Sequence, residues 1–416
     1  MDDGSAALVA EIQQEIRTRG PMPFARFMGL ALHHPRHGYY ARPGATTGAR
    51  GDFYTSPDLS PAFGRLIARQ VIEIARLTTH GHGDPGHPFT VVEMGPGSGR
   101  MAADIIAAMA WEDPALAART TLVLVESSPE LRASQRERLQ AQPAARHLAG
   151  FTWLDWQTLI DQRPGRAFHG CVVANEFLDA LPVHVVQMRG GVLHEVHVDQ
   201  GAEGFREVLL APSTPRLARH LAGLGVILDE GQRAEINLEA VDWTGSLERL
   251  FGPEGRGGAI LVDYGHEARE LYASHRLHGT LMVYARHRAR DGNTAALERI
   301  GLQDITAHVD LTSLARAGAA AGFDVAPPVT QMKFLISLGL ANMMADLAAG
   351  PDATGAEATR ERLALHALMA PGGMGEIYKV MLMTRGTPAA GLTGAHDPFR
   401  RDAGVPAERD AEDDAA

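Results

Sequence analysis

The residues with the clearest chemical potential lie in Val91-Val92-Glu93-Met94-Gly95-Pro96-Gly97-Ser98-Gly99, an apolar run that ends in three alternating glycines. Glycine permits left-handed backbone and lacks the Cβ that would hold a ligand off the main chain. A glycine turn between a strand and a helix is therefore a cofactor cradle. Spacing decides which cofactor. A dinucleotide turn needs Gly-x-Gly-x-x-Gly, whereas here the third glycine comes one residue early and Arg100 fills the expected place. Glu93, just ahead of the turn, can bind the methionine end of S-adenosylmethionine (SAM), directly or through water. Glu126 closes the apolar run Leu122-Val123-Leu124-Val125, and a carboxylate at a strand tip accepts hydrogen bonds from both hydroxyls of a ribose. Its distance from the glycines is slightly longer than the usual spacing of about 20 residues. The competing reading is a plain strand-to-helix turn with an incidental glutamate.

A second constellation, Ala174-Asn175-Glu176-Phe177-Leu178-Asp179-Ala180-Leu181-Pro182-Val183, follows the apolar run Cys171-Val172-Val173. It leaves the carboxyl end of an expected strand, where ligands bind in open α/β sheets. Asn175, Glu176 and Asp179 would stand near a bound methyl sulfonium. Two carboxylates there suit a guanidinium acceptor, which they can orient bidentately with a nitrogen lone pair facing the methyl group. The plainer reading is a turn capped by Asn and Asp. Asp263 and Tyr264 close the run Ala259-Ile260-Leu261-Val262 on the same rim, and Asp304, His308 and Asp310 offer a second polar wall. His308 joins the catalytic candidates, although a lone histidine is more often structural. His33, His34 and His37 resemble a metal cluster at first glance. With Pro35 and Gly38 interleaved they have no fixed helical spacing, so packing is the preferred reading and no metal is expected.

The elements that must position these groups alternate. Strands are expected at Pro88–Met94, Thr121–Glu126, Cys171–Phe177 and Gly257–Gly265, with helices at Met101–Ala110 and Pro129–Gln140 between them. Strands apolar throughout and separated by helices imply a mostly parallel sheet covered on both faces, a Rossmann-like α/β fold. Residues 1–62 read as an N-terminal helical and loop extension, 63–183 as the cofactor-binding core and 184–257 as an inserted lobe. Residues 258–386 complete the core, with a final strand at Glu376–Thr384. The tail 387–416, rich in Ala, Gly, Pro and charge, is expected to be disordered.

The chain has 416 residues, 45% of them apolar, enough for a large core. A net charge of −11 without a basic tract argues against nucleic-acid binding. Cys171 is the single cysteine, which excludes an intramolecular disulfide and a cysteine-rich zinc site. The acidic start lacks a signal peptide's basic and apolar regions, and no stretch nears the roughly 20 apolar residues needed to span a bilayer. The expected compartment is the cytoplasm. A homodimer is compatible with the fold class, without a helical seam to prove it.

The chain resembles the MidA family, which includes the mitochondrial complex I assembly methyltransferase. The resemblance is carried by GPMPFARFMGLALHHPRHGYY, GDFYTSPDLSPAFG, VVEMGPGSGRMAADI, ANEFLDALPV, LVDYG, HGTLMVYARH, QDITAHVD, TQMKFLISLG and MGEIYKVMLM, from about residue 20 to 385. It implies a class I SAM-dependent methyltransferase acting on protein arginine, with a respiratory complex I subunit as the partner in the mitochondrial branch. It also implies that Glu93, Gly95, Gly97, Gly99 and Glu126 hold SAM, that Asp52, Phe53 and Thr55 close over it, and that Ala174–Val183 faces the acceptor. The chain shows no mitochondrial presequence, which points to a bacterial cytoplasmic relative. Two other readings stay open: a small-molecule methyltransferase with the 184–257 lobe as a closed lid, and a SAM-binding assembly factor that acts by holding a partner.

Overall fold

The computed structural model describes residues 5–42, 55–79, 87–162, 165–285, 288–350 and 353–399. Asp52 and Phe53 lie outside them. The chain opens with helices α1 (Ala6–Arg19) and α2 (Phe24–His33), followed by the long helix α3 (Pro61–Thr79). Then come β1 (Phe89–Met94), α4 (Arg100–Glu112), β2 (Thr120–Val125), α5 (Pro129–Ala141), β3 (Gly150–Leu154) and β4 (His169–Asn175). After β4 the chain makes an antiparallel group, β5 (His184–Arg189), β6 (Val192–Gly201), β7 (Gly204–Leu210) and β8 (Arg233–Ile236). Helix α6 (Leu238–Phe251), β9 (Arg256–His266), β10 (Met282–Ala285), β11 (Asp304–Thr306) and the closing strand β12 (Tyr378–Arg385) complete the elements used below.

The central sheet runs in the order Asp324–Val325, β12, β9, β4, β1, β2, β3. Strands β3, β2, β1, β4 and β9 are mutually parallel, while β12 lies antiparallel to β9 in the register Val262↔Val380. Every residue of β1 is buried, as expected of a strand covered on both faces. On one face Val91, Leu124, Val173 and Ile260 pack under α3 and α4. On the other Val92, Val123, Val172 and Leu261 pack against Trp243, Leu247 and Phe251 of α6. The strand order reverses at β1, with β2 on one side and β4 on the other, which is the topological switch where a cofactor crevice opens.

The N-terminal helices share an apolar core with β5, β6 and the segment around β10 and β11. Leu8, Ile12, Phe24 and Phe27 pack with Val185, Val196, Leu281 and Ile305, and Met22 pairs with Val198 across antiparallel backbone. Within 184–257 the lobe's own sheet ends at Ile236, because α6 turns its apolar face to the central sheet instead. The disorder expected from residue 387 does not begin there. Ala389 and Leu392 are fully buried, Thr393 donates its backbone N–H and hydroxyl to Glu73, and Lys333 pairs with Asp397 at 2.6 Å. Two apolar anchors suffice to hold a segment whose composition reads as disordered; residues 400–416 lie outside the described residues.

Among the described residues no single helix is long and apolar enough to cross a membrane. Gln331–Ser337 and Leu340–Ala349 meet the length and composition only as a pair bent by 66°.

Candidate active site

The glycine turn takes the shape its sequence demands. Gly95, Gly97 and Gly99 have φ of 56°, 49° and 72°, all left-handed, where a side chain would add strain. Gly99 starts α4 without any side-chain cap, so the positive end of that helix is left to a ligand. A Cβ on Gly97 would meet no protein atom within 4 Å. The turn forms one wall of a cavity of about 400 Å³, also lined by Thr55, Glu93, Glu126, Asn175, Glu176 and Phe177.

Glu126 is held at the tip of β2. Its Oε1 accepts from the Ser128 N–H at 2.9 Å and its Oε2 from Gln135 Nε2 at 3.2 Å. Gln135, fully buried on α5, also donates to the Gly97 carbonyl at 2.8 Å and accepts from Trp153 Nε1 at 2.8 Å. One amide therefore ties the turn, the β2 tip and β3 together. Burial raises the Glu126 carboxyl, against the pull of its hydrogen bonds. Glu93 is 1% exposed and its Oε2 has no partner; burial, reinforced by nearby Asp104, pushes its pKa up to about 8. Trp156, Trp243 and Phe177 add an aromatic wall, with ring centroids 5.6 Å (Trp156–Trp243) and 5.3 Å (Phe177–Trp243) apart.

At the other end of the cavity Glu176 sits at φ 49°, a left-handed conformation that costs a non-glycine residue about 1–3 kcal/mol. Its N–H donates to the Val262 carbonyl at 2.9 Å. Its carboxyl accepts from Tyr378 Oη at 2.8 Å, Asn175 Nδ2 at 3.2 Å and the Ser56 N–H at 3.4 Å. Three elements thus aim one carboxyl, and burial, with Asp179 beside it, pushes its pKa up to about 8. Asp179 stands behind the cavity wall. Its Oδ2 accepts from Tyr264 Oη, its Oδ1 has no partner, and burial moves it up to about 6. Asp263 accepts the Leu178 and Asp179 N–H groups at 2.9 and 3.2 Å, which fixes the turn; burial and its acidic neighbours raise it further.

Thr55 caps Ser56–Leu59 in a capping box with Asp58, placing that short helix over the cavity. His308 does not join this group. It packs edge-on to Tyr264 and stacks on His266, and burial followed by neighbouring cations lowers its pKa to about 4. A base that weak is neutral and a poor proton acceptor near pH 7. Asp310 caps Leu311–Ala320 through the Ser313 N–H, and Asp304 accepts from Tyr40 Oη at 2.9 Å. The histidines near the N-terminus serve the loop. His33 Nε2 bonds the Ala180 carbonyl at 2.9 Å, and His34 Nδ1 accepts the Arg36 and His37 N–H groups.

Sequence reading missed Gln135, Trp156, Trp243 and Tyr378. Each becomes part of the site only because distant elements meet, although Tyr378 opens a strand that was expected.

These features fit SAM. The unpartnered oxygens of Glu93 and Asn175 await donors, the uncapped α4 terminus suits a carboxylate, Glu126 suits a ribose and the aromatic wall suits a flat base. Sheet order, switch point and cavity define a SAM-dependent methyltransferase. Known proteins agree. A model for a family of S-adenosyl-L-methionine-dependent methyltransferases matches residues 66–329, and the chain belongs to that family, the MidA-type methyltransferases. It is 30% identical to the mitochondrial protein arginine methyltransferase NDUFAF7 homolog of Drosophila melanogaster, over 94% of this chain and 88% of that one. It is likewise 30% identical to NDUFAF7 of Danio rerio, over 83% and 80%. A crystal structure from Burkholderia thailandensis bound to S-adenosylhomocysteine superposes with a TM-score of 0.78 at 32% identity, covering 94% of each chain.

Proposed function

We propose that this methyltransferase modifies an arginine side chain of a protein, and that a respiratory complex I subunit is the acceptor its family resemblance suggests. The observation that carries the reading is the acidic group at the far end of the cofactor cavity. Glu176, Asp179 and Asp263 are buried side by side, and their pKa values rise through burial, with the charges of their neighbours adding to the rise at Glu176 and Asp263. A pocket that strains its own carboxyls in this way complements a cation, because an arriving positive charge relieves both penalties.

In this assignment Glu93, Gly95, Gly97, Gly99 and Glu126 hold SAM, Thr55 borders it, and Gln135 keeps turn and ribose carboxylate in register. The cofactor supplies an electrophilic methyl group on a sulfonium. Glu176 binds the guanidinium and accepts the proton that the nitrogen sheds, while Asn175 fixes its plane and Asp179, behind the wall, adds negative charge. Tyr378 bonds one oxygen of Glu176 while Asn175 and the Ser56 N–H bond the other, which fixes the plane of the carboxyl presented to the acceptor. The names borne by the NDUFAF7 relatives, protein arginine methyltransferases, support the same acceptor class.

The test is transfer from labelled SAM into a lysate of the source cell lacking this protein, with labelled residues mapped by mass spectrometry. Label on arginine of one protein is expected. Label confined to lysine or to small molecules would overturn the acceptor assignment, and no label despite cofactor binding would favour an assembly factor that works by holding a partner.

A further inference from the structure

Glu93 shares its strand face with Val91, the face roofed by α3 and α4. Asp104 lies on α4 where α3 crosses closely: a Cβ on Gly64 would stand 2.5 Å from the Asp104 Cβ. Packing this tight buries one oxygen of Asp104, although the residue as a whole is half-buried. Each carboxyl retains one buried oxygen without a partner, Glu93 Oε2 and Asp104 Oδ2. Two orphaned acidic oxygens in one layer are costly unless a proton or a ligand satisfies them. Glu93 opens onto the cofactor cavity, whereas Asp104 borders a separate cleft with Arg100, Ser134 and Arg138. Asp104 itself does not line the cavity, whereas Arg100 borders both.

We propose that Glu93, buried at the cavity with an unpartnered oxygen, is neutral in the free protein, with Asp104 as a positioning residue that reinforces this state, so that seating the cofactor's α-ammonium on Glu93 expels one proton to solvent. The O–H bond of Glu93 breaks and its proton goes to buffer. The ammonium keeps its hydrogens and donates to the carboxylate that results.

The electrostatics run the same way. Burial is the main cause of the raised Glu93 value of about 8, and Asp104 is the charged group that adds to it. Asp104 itself is pushed up to about 6 by burial, against Arg100, Arg138 and Arg65 and with Glu361. Among the described residues, the other titratable groups facing the cavity are Glu126 at the tip of β2, Asp155 after β3, Glu176 after β4, Glu239 on α6, Arg100 on α4, His33 on α2 and Tyr40 after it. A proton held in the free state and lost in the complex weakens binding about tenfold for each pH unit below the free-state value. Above about pH 8 the ligand's own α-amino group, of ordinary pKa about 7.7–8.0, begins to lose its charge, so affinity peaks there.

The test is calorimetric titration with S-adenosylhomocysteine in buffers of unlike ionisation heat, at pH 6.5 and 7.5. Wild type should release about one proton per ligand at pH 6.5 and bind about tenfold more weakly than at pH 7.5. Methylthioadenosine, which keeps the nucleoside and lacks the amino-acid end, should release none. Asp104→Asn should move the pH dependence to lower pH while keeping most of the proton release, because Glu93 stays buried, with Asp104→Ser as the substitute if the first variant does not fold. Zero release by wild type or equal release with methylthioadenosine would overturn the proposal, and an unchanged midpoint in the Asp104 variants would overturn the part given to Asp104. The inference rests on placing Glu93 at the ammonium, and Glu93→Gln separates the two ideas. If it binds S-adenosylhomocysteine as wild type does, the placement itself fails. If it binds weakly while the Asp104 variants keep the wild-type midpoint, only the role of Asp104 fails.

Discussion

Replacing Gly97 by valine separates the fold's need for this turn from the ligand's need. Gly97 has φ 49°, and left-handed backbone costs an L-residue about 1–2 kcal/mol. In a chain of this size that lowers Tm by a few degrees. No protein atom lies within 4 Å of the added Cβ, so the two methyl groups invade the cavity rather than the core. Overpacking a fitted site costs about 1–3 kcal/mol, which is roughly a 5- to 140-fold loss of cofactor affinity. Gly191→Val is the matched control. Gly191 sits in the lobe's β5–β6 turn at φ 71°, also with nothing within 4 Å, so it carries comparable strain far from the cavity. Calorimetry with S-adenosylhomocysteine and thermal melts on both variants should show similar drops in Tm and a loss of binding only at position 97. Equal affinity in the two would refute the placement of the cofactor on this turn.

Glu176→Gln should retain cofactor binding within a few fold, since Tyr378 still has an oxygen to bond, and lose transfer by at least tenfold in a labelled-methyl assay; unchanged turnover would remove Glu176 from the acceptor site. Stability should depend on pH through the buried carboxyls. Folding raises Glu93 and Glu176 from an ordinary value of 4.5 to about 8, so the folded state holds protons that the unfolded chain has released. That contribution is complete below pH 4.5 and is lost as pH climbs towards 8, so thermal melts of the ligand-free protein should fall between about pH 5 and 8. Glu93→Gln should flatten the trend, and an unaltered slope would assign it to other groups. Leu392→Ala, at a fully buried position, should cost about 2–5 kcal/mol by denaturant titration. A change below 0.5 kcal/mol, on the order of a typical surface substitution, would mean that the 387–399 segment is not anchored as described.

The parallel sheet was legible because its strands are apolar on both faces and its helices intervene, a pattern that local sequence carries. The glycine turn and Glu126 were legible for the same reason: each is a short motif at a strand end. Strand β3 was missed because Gly150-Phe151-Thr152-Trp153-Leu154 is a half-exposed edge without the dense apolar run of its neighbours. Gln135 reads as one more polar residue of a charged helix until Trp153, Gly97 and Glu126 converge on it. Trp243 lies inside what reads as an insertion, and only the packing of α6 onto the central sheet brings it to the cavity. His308 had the right residue type beside other polar groups, yet its ring turns towards His266. Side-chain direction at the end of a short strand depends on tertiary neighbours that local sequence does not encode.

The shared core of extension and lobe has a consequence for synthesis. Ser5 donates its N–H to the Ile300 carbonyl at 2.9 Å, and Met22 pairs with Val198. Leu8, Ile12 and Phe24 are therefore translated nearly three hundred residues before Ile300 and Ile305, which help to enclose them. At roughly 5–20 residues per second this delay is on the order of 15–60 s. The first helices leave the ribosome with an apolar face and no partner, while the central sheet can begin to assemble behind them. That apolar face stays uncovered until late in synthesis, and its closure must wait for one of the longest-range contacts among the described residues.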